Sequence, residues 1–242
     1  MLVGTFYCWQ IGSAFDRFVW SDHLDGYYDL LARGFVSGHL YLPVQPRPEL
    51  LALPNPWEAP ANRPYRLLDA ALYGKRYYLY HGAVPALILF APWRLFTRHD
   101  LPQDIAVLLF CMGGYLFLST LLLKLLSSGR YTVPYWLFLL FCAALGFAQC
   151  VPFLLQLTLV YEVAIAAGYF CLSAGFFFLF KTLTAPESVK RYAFLCGMFF
   201  GLAVGCRPHL GLAILPSLLL ILIRDGRPQS FFHVLRRKDL RA

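Results

Sequence analysis

The run from Ile105 to Leu126, IAVLLFCMGGYLFLSTLLLKLL, decides what kind of protein this is. Its only charged residue is Lys124, close to the far end. A helix needs about 20 predominantly apolar residues to cross the hydrocarbon core of a bilayer, and this run supplies them. A soluble domain with a very large core is the competing reading, and the length of the run argues against it.

Downstream, similar runs follow at Val133–Val151, Glu162–Phe180, Tyr192–Cys206 and Leu210–Ile223, with a kinked bridge from Pro152 to Val160. These make about five crossings. Upstream, Ala83–Phe96 is apolar but too short to span, and Pro92, Trp93 and Arg94 favour an interfacial or re-entrant helix. Composition agrees: 59% of residues are hydrophobic and 14% charged, with mean hydropathy +0.58, far from the roughly 25% charged of soluble domains. The expected fold is an all-α integral membrane protein, a multi-spanning helical bundle with a long extracytoplasmic first loop containing short amphipathic helices.

The formal charge of +8 comes without a basic helix or an aromatic RNA motif, so nucleic acid is not an expected partner. Basic residues at helix ends explain the surplus. Lys124, Arg130, Lys181, Lys190, Arg191 and the basic residues from Arg224 to Arg241 fall at one set of ends, whereas the short connections at the other set hold only Arg207. That alternation places residues 21–104 outside a cell inner membrane, residues 105–224 within it and a basic tail, 225–242, in the cytoplasm. Residues 1–20 lack the pattern of a signal peptide and carry Asp16 and Arg17. They read as the end of an N-terminal segment, and the chain as a fragment of a longer protein. The seven cysteines form no CxxC pair and mostly sit in apolar runs, where they act as small hydrophobes.

Nine of the thirteen acids lie at or before Asp104, so the polar stretch 21–104 is the expected working surface. Asp25–Phe35, DGYYDLLARGF, has the period of a short amphipathic helix. Tyr27, Leu30, Leu31 and Phe35 fall near one face, and Asp29 pairs with Arg33 at i,i+4. Asp22 and Asp25 precede it, where one of them is also suited to an N-cap. Seven prolines between Pro43 and Pro64 make an ordered, apolar loop. Tyr65–His81 then mixes basic residues with tyrosines, as a membrane–water interface does.

The segments DGYYDLLARGFVSGHLYL and RLLDAALYGKRYYLYHGAVPALILFAPW resemble the GT-C class of membrane glycosyltransferases, in particular relatives of protein O-mannosyltransferases and aminoarabinose transferases. The resemblance implies transfer of a sugar from a polyprenyl-phosphate donor outside the membrane, with an acid at the head of the first loop serving catalysis. It favours Asp25 for that role, with Asp22 as the alternative. The chemistry can also be argued from the residues. Such a transfer needs a carboxylate as base or acceptor-orienting group, and cations to stabilise the departing phosphate.

Lys75 and Arg76, beside Tyr77, Tyr78 and Tyr80, suit an anionic headgroup or ordinary interfacial anchoring. Arg207, between two apolar runs, needs a counter-charge, either donor phosphate or Glu162. Glu162 also suits the first turn of its own helix. His81 is placed to touch substrate, and Asp69 to support the site from behind. The histidines are too scattered to hold a metal, although Asp22 and Asp25 together could hold a divalent cation. The expected partners are a lipid-linked sugar donor and membrane lipids. A transporter or flippase, or a noncatalytic membrane assembly protein, are the other classes considered.

Overall fold

The computed structural model describes residues 1–14, 26–128, 133–157 and 159–226. About 71% of the protein is helical. The elements are α1 (Leu2–Ala14), α2 (Tyr27–Val36), α3 (Pro48–Leu51), β1 (Ala70–Tyr73), β2 (Arg76–Leu79), α4 (Ala91–Thr97, entered through a π-turn at Ala86–Phe90), α5 (Gln103–Ser128), α6 (Tyr135–Phe147), α7 (Val151–Gln156), α8 (Val160–Thr184), α9 (Val189–Cys206) and α10 (Ile214–Gly226).

Three helical stretches among the described residues are long and apolar enough to cross a membrane: Gln103–Ser127, Val160–Thr184 and Pro186–Cys206. The protein is therefore a membrane-associated helical protein. The sequence leads one to expect about five crossings, and the remaining apolar runs form shorter helices among the described residues. Helix α6 stops at Phe147 after 13 residues, which at about 1.5 Å per residue is roughly 20 Å, short of a 30 Å core. The chain then bends at Ala148–Cys150 and starts the separate helix α7, so the run to Val151 is not one continuous helix. The final apolar stretch, Pro208–Ile221, begins as a 3₁₀ helix at Pro208–Ala213 and continues into α10, which ends at Gly226.

Helices α5, α8 and α9 form the central layer. Phe110 meets Phe170 and Phe117 meets Phe177, so α5 and α8 run parallel. Phe178 meets Tyr192 while Phe176 meets Phe200, so α9 returns antiparallel. Small buried residues bring the helices close: Ala164, Ala167, Cys171 and Ala174 on α8, and Ala203 and Cys206 on α9. Helix α1 packs at the side, where Tyr7 Oη donates to the Gly146 carbonyl at 3.0 Å. One end of this layer consequently holds the starts of α5 and α8, the end of α9 and the whole polar segment between α2 and α5. Lys124, Lys181, Lys190 and Arg191 belong to the other end.

The polar segment is not wholly helical. Ala70–Tyr73 and Arg76–Leu79 pair antiparallel, with Ala70 opposite Leu79 and Tyr73 opposite Arg76. Gly74 (φ 54°) and Lys75 (φ 61°) supply the two left-handed residues of a tight two-residue turn. Leu42 bridges to Tyr77 beside this hairpin. The protein is accordingly helical with almost no strand, this hairpin being the paired strands among the described residues.

Helix α2 is amphipathic, yet it buries Tyr28, Leu31, Ala32 and Gly34 rather than a face led by Tyr27. Gly26 occupies its N-cap position without a side-chain cap, so that position belongs to neither acid of the preceding stretch. Asp22 and Asp25 lie outside the described residues.

Candidate functional site at the end of the helix layer

Tyr161, in the first turn of α8, is the hub on which the polar residues converge. Its hydroxyl donates to Asp69 Oδ1 at 2.6 Å. The His81 ring meets it edge-on, with centroids 4.4 Å apart. The Arg207 guanidinium lies over its ring face at 5.6 Å, and Arg207 Nη2 donates to the Tyr161 carbonyl at 3.2 Å. Four residues far apart in sequence, Asp69, His81, Tyr161 and Arg207, therefore share one end of the layer.

Each is positioned by its own element. Asp69 sits at the base of the hairpin with φ 54°, and its carbonyl accepts the Tyr80 N–H at 3.1 Å. His81 follows the second strand, and the chain crosses α9 immediately afterwards. A methyl group on Gly82 would run into the carbonyls of Gly205 and Cys206, so only glycine allows the loop to lie this close to the helix end. Arg207 is the residue at which α9 stops, its backbone turning extended at φ −148°, ψ 118°.

The charges here are incompletely answered. Among the described residues Arg207 has no ion-pair partner, and its buried Nε has no hydrogen-bond partner. Glu162 does not serve as its counter-charge; the buried Glu162 Oε2 likewise has no partner among the described residues. His81 is 9% exposed and its Nε2 is unpartnered. Burial, then the Arg207 charge, push its pKa below the usual 6.5, against the opposing pull of Asp69. His81 is therefore neutral at pH 7. A cation and a neutral imidazole with unused polar atoms make a seat for an anion.

Helix α2 closes this end. The buried Tyr28 hydroxyl donates towards the Gly82 carbonyl at 3.4 Å and lies within electrostatic reach of Arg207.

A second polar group ties α2 to the start of α5. Asp100 bridges Arg33 and Arg94, accepting from both guanidinium groups. Partial burial works against it, yet the two arginines hold Asp100 below the ordinary carboxylate range. The expected Asp29–Arg33 pair does not form, because Arg33 turns to Asp100. Asp29 instead accepts the Leu101 backbone N–H at 3.0 Å.

Lys75 and Arg76 stand apart from the hub. They lie at the tip of the hairpin whose base holds Asp69, roughly 13 Å away along a strand at about 3.3 Å per residue. The Arg76 guanidinium covers the Tyr41 ring at 4.3 Å. Among the described residues no three His, Cys, Asp or Glu side chains are grouped to hold a metal ion.

Sequence reasoning missed Tyr161, Asp29 and Asp100. Tyr161 offers one signal, a tyrosine next to an acid at the head of a long apolar run. Asp29 offers none, since its helical spacing to Arg33 already explains it. No family model, curated protein or solved structure matches the chain.

Proposed function

We propose that the protein is a membrane glycosyltransferase that moves a sugar from a polyprenyl-phosphate-linked donor to an acceptor at the extracytoplasmic face of the cell inner membrane. The observation that carries this reading is Arg207, a guanidinium at the end of a membrane-length helix without a carboxylate partner among the described residues. A guanidinium at the end of such a helix, with no carboxylate to neutralise it, attracts an anion at the membrane surface, and a lipid phosphate arriving along the bilayer would supply one.

In this reading Arg207 holds the donor phosphate as negative charge develops on it, which lowers the barrier to departure of the sugar. Neutral His81 donates or accepts one further hydrogen bond there. Asp69 fixes Tyr161, and Tyr161 fixes the guanidinium through its ring and carbonyl. Asp25, or else Asp22, takes the acceptor proton or orients the acceptor. The resemblance of the DGYYDLLARGF segment to the GT-C class supports this assignment.

The test is sugar transfer from a lipid-linked donor by the full-length chain in proteoliposomes. Arg207→Gln should lower turnover by about 10²–10³-fold, as loss of one anion-stabilising donor does. Asp25→Asn, or Asp22→Asn if the role falls there, should lower it by about 10²–10⁴-fold. Wild-type turnover in all three folded variants would overturn the proposal. So would a wild-type protein that translocates the lipid without transferring its sugar, which would make it a flippase.

A further inference from the structure

Helix α2 docks on the π-turn and α4, and its first turn reaches the start of α5. Most of that contact is apolar, with Tyr28 against Phe90 at 5.6 Å between ring centroids. One carboxyl interrupts it. Asp29 places Oδ1 on the Leu101 N–H, and its Oδ2 lies 3.2 Å from where a Cβ on Gly26 would stand. The carboxyl is thus wedged between the first turn of α2 and the connector before α5. Among the described residues no ion pair reaches it; the arginines nearby are both engaged by Asp100.

We propose that Asp29, together with the Arg33–Asp100–Arg94 bridge, is a proton-operated latch that locks α2 against the start of α5. In the protonated state the carboxyl is a neutral group that keeps its acceptor bond to Leu101. When its proton passes to water, a carboxylate is left in the half-buried contact beside Asp100, and the first turn of α2 gains by opening to solvent.

The groups acting on Asp29 come from each element around it. Arg33 belongs to α2 itself, Arg94 to α4 and Asp100 to the connector, while the π-turn Ala86–Phe90 contributes no charge. Burial is the largest influence and pushes the Asp29 pKa from the ordinary 3.8 to about 7. The Leu101 hydrogen bond and the two arginines oppose it, and Asp100 adds to it. The docked pKa exceeds the undocked one, so docking is fully favoured below about pH 4. That advantage is lost as the pH rises to about 7 and changes little above it. The latch does not depend on the transferase reading.

Hydrogen exchange of the α2 amides in the full-length chain, reconstituted in nanodiscs and corrected for intrinsic rates, tests this. Wild-type protection of α2 should fall by up to about tenfold per pH unit between pH 5 and 7 and then level off, while α8 stays flat. Asp29→Asn should remove the slope. Asp100→Asn removes the repelling charge and frees two arginines, so the levelling-off should move to lower pH. The control variants His39→Gln and His99→Gln should leave the slope unchanged. A flat wild-type profile, a slope that survives in Asp29→Asn, or a slope lost with either histidine would overturn the latch. If Asp29→Asn fails to fold, the direction of the Asp100→Asn shift decides.

Discussion

Gly82 is the narrowest point in the assembly of the hub, and replacing it with alanine gives a sharp test of the geometry. The added methyl would overlap two carbonyl oxygens, those of Gly205 and Cys206. Both belong to the backbone, so no rotamer change relieves the overlap; either the 81–84 loop or the end of α9 must move. Overpacking a close contact costs about 1–3 kcal/mol, and two backbone atoms put this site at the upper end. About 3 kcal/mol in a chain of this size lowers Tm by roughly 6–12 °C. Gly197→Ala on the same helix is the matched control, because nothing lies within 4 Å of its added methyl. Removing a glycine from a helix interior contributes about 0.5–1 kcal/mol in the opposite direction. Thermal unfolding in detergent micelles, followed by tryptophan fluorescence, compares the two. Gly82→Ala within about 2 °C of wild type, or an equal loss in Gly197→Ala, would refute the close crossing of loop and helix.

Three further outcomes are expected. Tyr7→Phe leaves the buried Gly146 carbonyl without its donor and should cost about 1–3 kcal/mol, read as a lower Tm in the same assay; an unchanged Tm would mean that α1 is not held to α6 by this bond. Tyr161→Phe removes the hydroxyl that joins the hairpin to α8 through Asp69, and limited proteolysis should then cut the 66–80 region faster while leaving α8 intact. Pro54→Cys, at an exposed position of the proline-rich loop, should react with a membrane-impermeant maleimide added to intact cells; labelling only after lysis would reverse the proposed sidedness.

How far the sequence reached depended on whether the deciding interaction was local. The three long apolar helices were readable because spanning length is a property of composition alone. The ends of α6 were not, since the bend at Ala148–Cys150 interrupts a run that remains apolar on both sides. In RLLDAALYGKRYYLYH the abundance of tyrosines suggested an interface, while the two-residue Gly-Lys turn between alternating residues carried the hairpin. Asp29 and Arg33 satisfy the helical pairing rule, and only the fold reveals that Asp100, 67 residues beyond Arg33, takes the arginine away.

The hub itself shows a related division. Arg207 was singled out because a charge between apolar runs needs a reason, and Glu162 as its counter-charge, whereas Asp69 and His81 were named within the polar stretch. Their grouping was invisible, since it depends on α8 beginning and α9 ending at the same level. That level follows from the parallel run of α5 and α8 and the antiparallel return of α9. Once the two helix ends coincide, Tyr161 is the only side chain tied both to the guanidinium and to the hairpin acid among the described residues. Arg207 then keeps its aim through Tyr161, while Asp69 is spent on the tyrosine hydroxyl and cannot neutralise the guanidinium. An acid paired directly with Arg207 would have closed the anion seat; an acid held one residue away, through a phenol, orients the cation and leaves its charge available.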